Sequence, residues 1–242
     1  MYQLHCTITT FNKHKIEAEL SSYNPLSISI TENELIGLFE NKIELKLSVD
    51  HKWQTLKTEH WQSNETIVSH GLSINCPNTV FGNTKHPTTQ LCIEMIKELN
   101  GTDHQLKHKK ITDLGCGSGI LSLICWTLGA RNITGIDIDP IAVNCARSNA
   151  QLNKISDIQF YTQNAMNWTA EKKQDLIIAN IPGQFLDTLL PKLPKLLAPN
   201  GALIISGPNQ DNVKSIREDL ISLNTNIKEY TQDGWFGWLI LT

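Results

Sequence analysis

A chain of 242 residues that is 40% hydrophobic can bury one full core and a small second lobe, and a formal net charge of −3 supplies no global basic field for a phosphate backbone. Direct nucleic-acid binding is therefore not expected. Six cysteines (Cys6, Cys76, Cys92, Cys116, Cys125 and Cys145) lack CxxC or CxxH spacing, which reads as reduced, buried thiols and argues against a zinc site or a disulfide frame; no metal is expected.

The start MYQLHCTITT has neither the basic residues nor the long apolar stretch of a signal peptide. No window reaches the roughly 18 apolar residues of a membrane span. A cytoplasmic protein without membrane contact is the expectation. Residues 1–60 alternate β-like runs (Tyr2 to Thr9, Leu26 to Ile30, Ile43 to Val49) with a polar helical run near Lys13 to Leu20, giving a small α+β lobe. Its charges form no block, so it reads equally as a solvated packing lobe or as a substrate-recognition module. Residues 61–79 are mixed and turn-rich, with Trp61 and the preceding Trp53 as anchors, and read as a connector to a domain spanning 80–242.

Pro87 suits the first turn of a helix, and Cys92, Met95, Ile96 and Leu99 then share one apolar face. Thr88 and Thr89 fall in that first turn, with hydroxyls available to a ligand. The lone His86 reads as a structural or capping residue rather than a base. Residues 101–110 are a solvated loop.

The next stretch carries the chemistry. Ile111 to Leu114 is a β run closed by Gly115-Cys116-Gly117-Ser118-Gly119, and an apolar helical run follows at once. Glycine at 115 and 117 permits backbone angles and approaches that a Cβ would block, and the helix start aims unpaired N–H groups into the turn. A second parallel strand, Ile133 to Asp137, ends in a carboxylate placed to accept both hydroxyls of a ribose. Position 120 is Ile, so this is no GxGxxG dinucleotide fingerprint. The GxGxG turn, with Asp113 before it and Asp137 one strand later, resembles that of class I methyltransferases, which bind S-adenosylmethionine. In that resemblance Asp113 lies near the methionine amino group.

Beyond Pro140 a helix (Ile141 to Leu152) leads to a strand (Ile158 to Tyr161), after which Asn164 is expected to accept the adenine amino proton with its side-chain oxygen. Asp175 to Ala179 is a buried strand ending at Asn180, beside the expected methyl position. A proline-interrupted helix (Leu189 to Leu197), a strand (Ala202 to Ser206), a helix (Val213 to Leu223) and a hairpin (Ile227 to Tyr230 with Trp235 to Leu241) complete a seven-stranded sheet. The fold class is α/β, Rossmann-like. In-line methyl transfer needs neither metal nor covalent intermediate. The tip Asn180-Ile181-Pro182-Gly183 lacks the Asn-Pro-Pro-aromatic pattern used on amide and adenine nitrogens, which favours an aliphatic amine as acceptor.

The segments VFGNTKHPTT (80–89), DLGCGSGIL (113–121), GIDIDPIAV (135–143), ANIPG (179–183) and LLAPNGALIISG (196–207) resemble the PrmA family, lysine methyltransferases of large-subunit ribosomal protein L-eleven. The likeness runs from about Cys76 to the C-terminus. It implies S-adenosylmethionine contact by Thr89, Gly115, Asp137 and Asn180, and a ribosomal protein as substrate. The family's usual Phe-Gly-Thr-Gly-Thr is here Phe81-Gly82-Asn83-Thr84-Lys85, Pro182-Gly183 stiffens the tip, and the N-terminal lobe looks shortened. A small-molecule amine methyltransferase is the nearest rival reading, and a nucleic-acid methyltransferase a more distant one.

Overall fold

In the computed structural model the described residues are 66–242 except 78, 79 and 224, together with 2–7, 9, 12, 15–16, 19–20, 23, 27–30, 34–39 and 44–55. The chain divides into two compact units, Met1–Gln62 and Ser63–Thr242. Trp61, read above as an anchor, lies outside the described residues.

The first unit is an antiparallel sheet of β1 (Tyr2–Thr7), β2 (Ser27–Ile30), β3 (Glu34–Phe39) and β4 (His51–Thr55) in the order β2-β3-β1-β4. Leu4 and Cys6 alternate on β1, Ile16 and Leu20 stand one helical turn apart, and with Leu35 they form a fully buried core. The run Ile43 to Val49 corrects the sequence reading, because its described residues, 44–49, form no strand. Leu45, Leu47 and Val49 still pack against the core, but the backbone N–H groups of Lys46 and Ser48 donate to Tyr23 Oη (3.0 Å) and to Glu19 (2.9 Å) instead of to a neighbouring strand. The pattern announced alternation, and side-chain acceptors took the ladder's place.

The second unit begins with a hairpin, β5 (Thr66–Ser69) and β6 (Leu72–Asn75), within the stretch read as a connector. His70 and Gly71 form its two-residue turn, both at positive φ, as a tight hairpin requires. Asn149 on α3 (Pro140–Leu152) and Asn153, the residue that caps its C-terminus one turn later, meet the backbone of Asn75 and Ser73. Ser73 N donates to Asn153 Oδ1 (2.8 Å) and Asn75 N to Asn149 Oδ1 (2.9 Å). In return, Asn153 Nδ2 donates to Ser73 O (2.7 Å) and Asn149 Nδ2 to Asn75 O (2.9 Å). Two side-chain amides thus stand in for a further strand.

The main sheet comprises β7 (Lys110–Leu114), β8 (Asn132–Asp137), β9 (Ile158–Thr162), β10 (Gln174–Asn180), β11 (Leu197–Asn209), β12 (Asn226–Gln232) and β13 (Trp235–Leu241). Its order is β12-β13-β11-β10-β7-β8-β9, with only the β12 and β13 pairings antiparallel. Helices cover both faces, so central strands read as unbroken apolar runs. Leu176 and Ile178 face one core with α1 (Pro87–Asn100), α2 (Ile120–Thr127) and α3. Ile177 and Ala179 face the other, with α4 (Gly183–Leu189) and α5 (Val213–Ser222).

Prolines rewrite one boundary. The helix expected from Leu189 to Leu197 ends at Leu189, having begun at Gly183, and only a single 3-10 turn, Leu193–Leu196, follows. Pro191 and Pro194 have no N–H to donate to the preceding turn.

The sequence leaves β7 for β8 and β9 on one side, then returns to β10 on the other. This places the switch point at the carboxyl ends of β7 and β10, where open α/β sheets hold ligands.

Asn149 also donates to Ser118 O (2.9 Å), so its amide joins the hairpin to the glycine turn from a site only 1% exposed. Asn149→Ala is expected to lower unfolding free energy by about 2–3 kcal/mol through these lost bonds, as measured by urea denaturation.

Candidate active site

The carboxyl ends of β7, β8 and β10 open onto a cleft of about 450 Å3, a size suited to a small ligand. The glycine turn reaches it through Gly115. Gly115 N and Cys116 N both donate to Ile136 O (2.8 and 2.9 Å), which curls the chain back over β8. Gly115 (φ +70°) and Gly117 (φ +52°) are required as glycines. A Cβ would stand 2.6 Å from Ile181 Cγ2 at the first and 2.2 Å from Phe81 O at the second.

Asp137 ends β8. Its Oδ2 accepts from Gly117 N (2.9 Å) and its Oδ1 from Asp139 N (3.0 Å), so each oxygen keeps a lone pair for a ligand. Burial raises its pKa, and the backbone N–H groups of Asp139, Gly117 and Ile138 pull it back down.

Asp113 is placed differently. It is 1% exposed and does not line the cleft; its Oδ2 accepts from Ser122 N (3.1 Å) and Ser122 Oγ (2.8 Å), capping the first turn of α2 from the strand behind it. Burial pushes this carboxyl up to about 6, against those two hydrogen bonds, and the Asp137 charge adds a smaller push.

Asn180, the last residue of β10, lines the cleft and is 6% exposed. Asn164 lines it too, but its Oδ1 already accepts from Met166 N (2.8 Å), capping a 3-10 turn, which leaves one lone pair for a base. Thr89 is fully buried and does not line the cleft; the neighbouring Thr88, equally buried, is part of its lining. Gly117 likewise does not line it.

His86 is both cap and wall. As N-cap of α1, its Nδ1 accepts from Thr88 N (3.3 Å), and the same nitrogen meets Thr88 Oγ1 at 2.8 Å. Nδ1 is therefore unprotonated, and burial lowers the ring's pKa and so favours the neutral form. Its ring packs edge-on against Phe81 (5.0 Å) and Trp235 (5.1 Å).

The rest of the rim was not singled out from sequence. Phe81, Ile138 and Phe185 are each about half exposed at the cleft, with Met166 and Trp235 beside them. An Asp233-Gly234 turn signals the hairpin that carries Trp235, yet nothing in its spacing says that β13 lies next to β11, with Trp235 at the cleft.

Three buried side-chain oxygens have no hydrogen-bond partner among the described residues: Thr89 Oγ1, Asp113 Oδ1 and Asn180 Oδ1. Leaving such atoms unpaired is costly, and of the three residues Asn180 lines the cleft, where its oxygen fits a polar ligand bound at the end of β10. Among the described residues no cluster could hold a metal ion, and no helix is long and apolar enough to cross a membrane.

A family model described as ribosomal protein L11 methyltransferase (PrmA) matches residues 59–240. The chain belongs to this family. It is 29% identical over 218 residues to the ribosomal protein L11 methyltransferase of Anoxybacillus flavithermus, covering 89% of this chain and 68% of that protein. The Haemophilus influenzae protein of the same name is 40% identical over 141 residues, or 58% of this chain and 45% of that one. A crystal structure of ribosomal protein L11 methylase from Lactobacillus delbrueckii subsp. bulgaricus aligns with TM-score 0.61 and 29% identity, over 75% of this chain and 91% of that one. The PrmA family consists of methyltransferases whose cofactor is S-adenosylmethionine, and the cleft's unpaired Asn180 oxygen, its Asp137 carboxylate and the open approach at Gly115 fit that group.

The PrmA cleft makes a titration signature. Asp113 carries a folded-state value near 6 against an ordinary 3.8, so its protonated form is favoured by folding, and its contribution is full below about pH 3.8. That contribution, on the order of 3 kcal/mol, is lost as pH rises through 6. Without S-adenosylmethionine, the stability of Asp113→Asn relative to the wild type is expected to rise by that amount between pH 3.5 and 7.5, as measured by denaturant unfolding across the range.

Proposed function

We propose that the chain is an S-adenosylmethionine-dependent protein N-methyltransferase whose acceptor is an amine, most simply a lysine, of ribosomal protein L11. The observation that carries this reading is Asn180. Its side-chain oxygen is buried and unpartnered at the end of β10, in a cleft whose other walls are mainly apolar.

When bound, S-adenosylmethionine supplies a methyl carbon made electrophilic by its sulfonium. Asp137 would hold the ribose through the free lone pairs of its two oxygens. Gly115 lets the backbone lie close, and Asn164 offers its remaining lone pair to the base. The family resemblance would bring Thr89 and Asp113 near the amino-acid end, where their unpaired oxygens lie behind the cleft wall.

The chain's part in methyl transfer is alignment and exclusion of water. A lysine amine has an unperturbed pKa of about 10.4, and an apolar cleft disfavours its ammonium form, so the proton leaves to solvent as the side chain enters. Among the described residues Asp137 is the sole carboxylate in the cleft lining, and it is already engaged by the backbone amides of Gly117 and Asp139. The Asn180 oxygen then accepts an N–H of the neutral amine and fixes the direction of its lone pair. The relatives' names support ribosomal protein L11 as the acceptor, and unit Met1–Gln62 is the candidate for recognising it.

Titration calorimetry is expected to show S-adenosylmethionine binding that Asp137→Ala weakens by about 1–3 kcal/mol, the scale of an unpaired polar group. Unchanged affinity in that variant would remove the ribose role. With tritiated donor and purified large ribosomal subunits, label is expected on one small protein. Deleting residues 1–62 is expected to abolish that label while cofactor binding persists, since every described residue lining the cleft lies in Ser63–Thr242. Label on stripped RNA, or turnover only with metabolite amines, would overturn the assignment.

A further inference from the structure

Ser118 is used by none of the steps above, yet its side chain is 0% exposed and every polar atom it carries is engaged. Its Oγ donates to Gly82 O (2.8 Å), its backbone N donates to Phe81 O (2.8 Å), and its carbonyl accepts from Asn149 Nδ2 (2.9 Å). Residue 117, its neighbour, donates its backbone N–H to Asp137 Oδ2. The dipeptide 117–118 therefore joins the ribose carboxylate on one side to the Phe81-Gly82 strap on the other.

The fit along this seam is close. A Cβ on Gly117 would fall 2.2 Å from Phe81 O, and one on Gly82 (φ +106°) would fall 2.5 Å from Ser118 Oγ. The strap is fixed at its near end as well, where the Cys76 thiol donates to Val80 O (3.1 Å) and Val80 N to Pro77 O (2.9 Å). Burial pushes that thiol up to about 11, so it remains a protonated donor at neutral pH. Beyond Gly82, Asn83 makes a turn, its Oδ1 accepting from Lys85 N (2.9 Å) and its carbonyl from His86 N (3.1 Å). The strap thus runs from the Ser118 contact into the His86 cap, and Phe81 and His86 are both cleft wall.

We infer that Ser118 is a positioning residue for the methyl donor: its hydroxyl latches the Phe81-Gly82 strap to the glycine turn and so holds the Phe81 and His86 wall at a fixed distance from Asp137. The inference rests on the methyltransferase reading. A hydroxyl that served packing alone would affect stability and leave donor and acceptor kinetics alike. A latch on this wall acts on the donor first, because the turn it grips contains the donor's own contacts. Loosening it lets the donor leave, while Asn180, on β10, stays where it is.

The test compares wild type and Ser118→Ala by stopped-flow release of S-adenosylmethionine and by steady-state transfer to ribosomal protein L11. Hydrogen exchange of the donor-free chain is followed in parallel. The expected result is donor release about 3- to 10-fold faster, the range of one lost hydrogen bond. Donor KM rises by a similar factor, acceptor KM is unchanged, and exchange is faster at the Ser118 and Val80 amides but not along 91–99. Release within twofold of the wild type, or equal rises in donor and acceptor KM, would overturn the role. Should Ser118→Ala fail to melt cooperatively, Ser118→Cys, similar in shape and a poorer donor, is judged by the same criteria. A wild-type chain that binds no S-adenosylmethionine would defeat the methyltransferase reading itself, whereas normal binding with an indifferent variant defeats the latch alone.

Discussion

The hydrogen bond from Gly117 N to Asp137 Oδ2 is the constraint on which the site depends. It joins the turn after one strand to the tip of the next. A backbone donor cannot be moved by a change of side chain, so the Asp137 carboxylate is referenced to the main chain itself. The turn must then be tight enough to bring residue 117 over β8, which the paired bonds from Gly115 and Cys116 to Ile136 O achieve. The glycines at 115 and 117 follow from that geometry, with their positive φ angles and the atoms pressed against them.

The two acidic residues of this region show how neighbouring carboxylates come to differ. Asp137 is at the cleft with spare lone pairs, and two backbone amides favour its charge. Asp113 is sealed behind the turn, holds the first turn of α2, and is pushed up to about 6 by burial. From sequence both looked like ligand contacts. In the structure Asp137 lines the cleft, whereas Asp113 lies behind it, bonded to Ser122 and with one oxygen unpaired.

Most of the second unit was legible because its signals are local. The glycine turn, the apolar runs of β7 and β10, the Pro87 helix start and the C-terminal hairpin each state their conformation within a few residues, and the observed sheet order assembles them as the pattern requires. What escaped reading depended on distant partners. Leu45, Leu47 and Val49 alternate as a strand would, but Tyr23 and Glu19 claim the backbone between them. The hairpin at 66–75 was hidden because the amides that receive it, Asn149 and Asn153, lie some seventy residues away in sequence. In the site, Gly115, Asp137, Asn164 and Asn180 were placed at strand ends and do line the cleft, whereas Phe81, Ile138, Phe185 and Trp235 meet there only through tertiary packing.

Trp235 also has a consequence for biosynthesis. The glycine turn leaves the ribosome long before the β13 hairpin, and β13 must insert between β11 and β12 to set the indole against His86. A nascent chain can thus finish the parallel half of its sheet while the cleft still lacks one wall. The Trp235 side of the cleft is therefore complete only once β13 has paired with β11, well after the glycine turn in chain order.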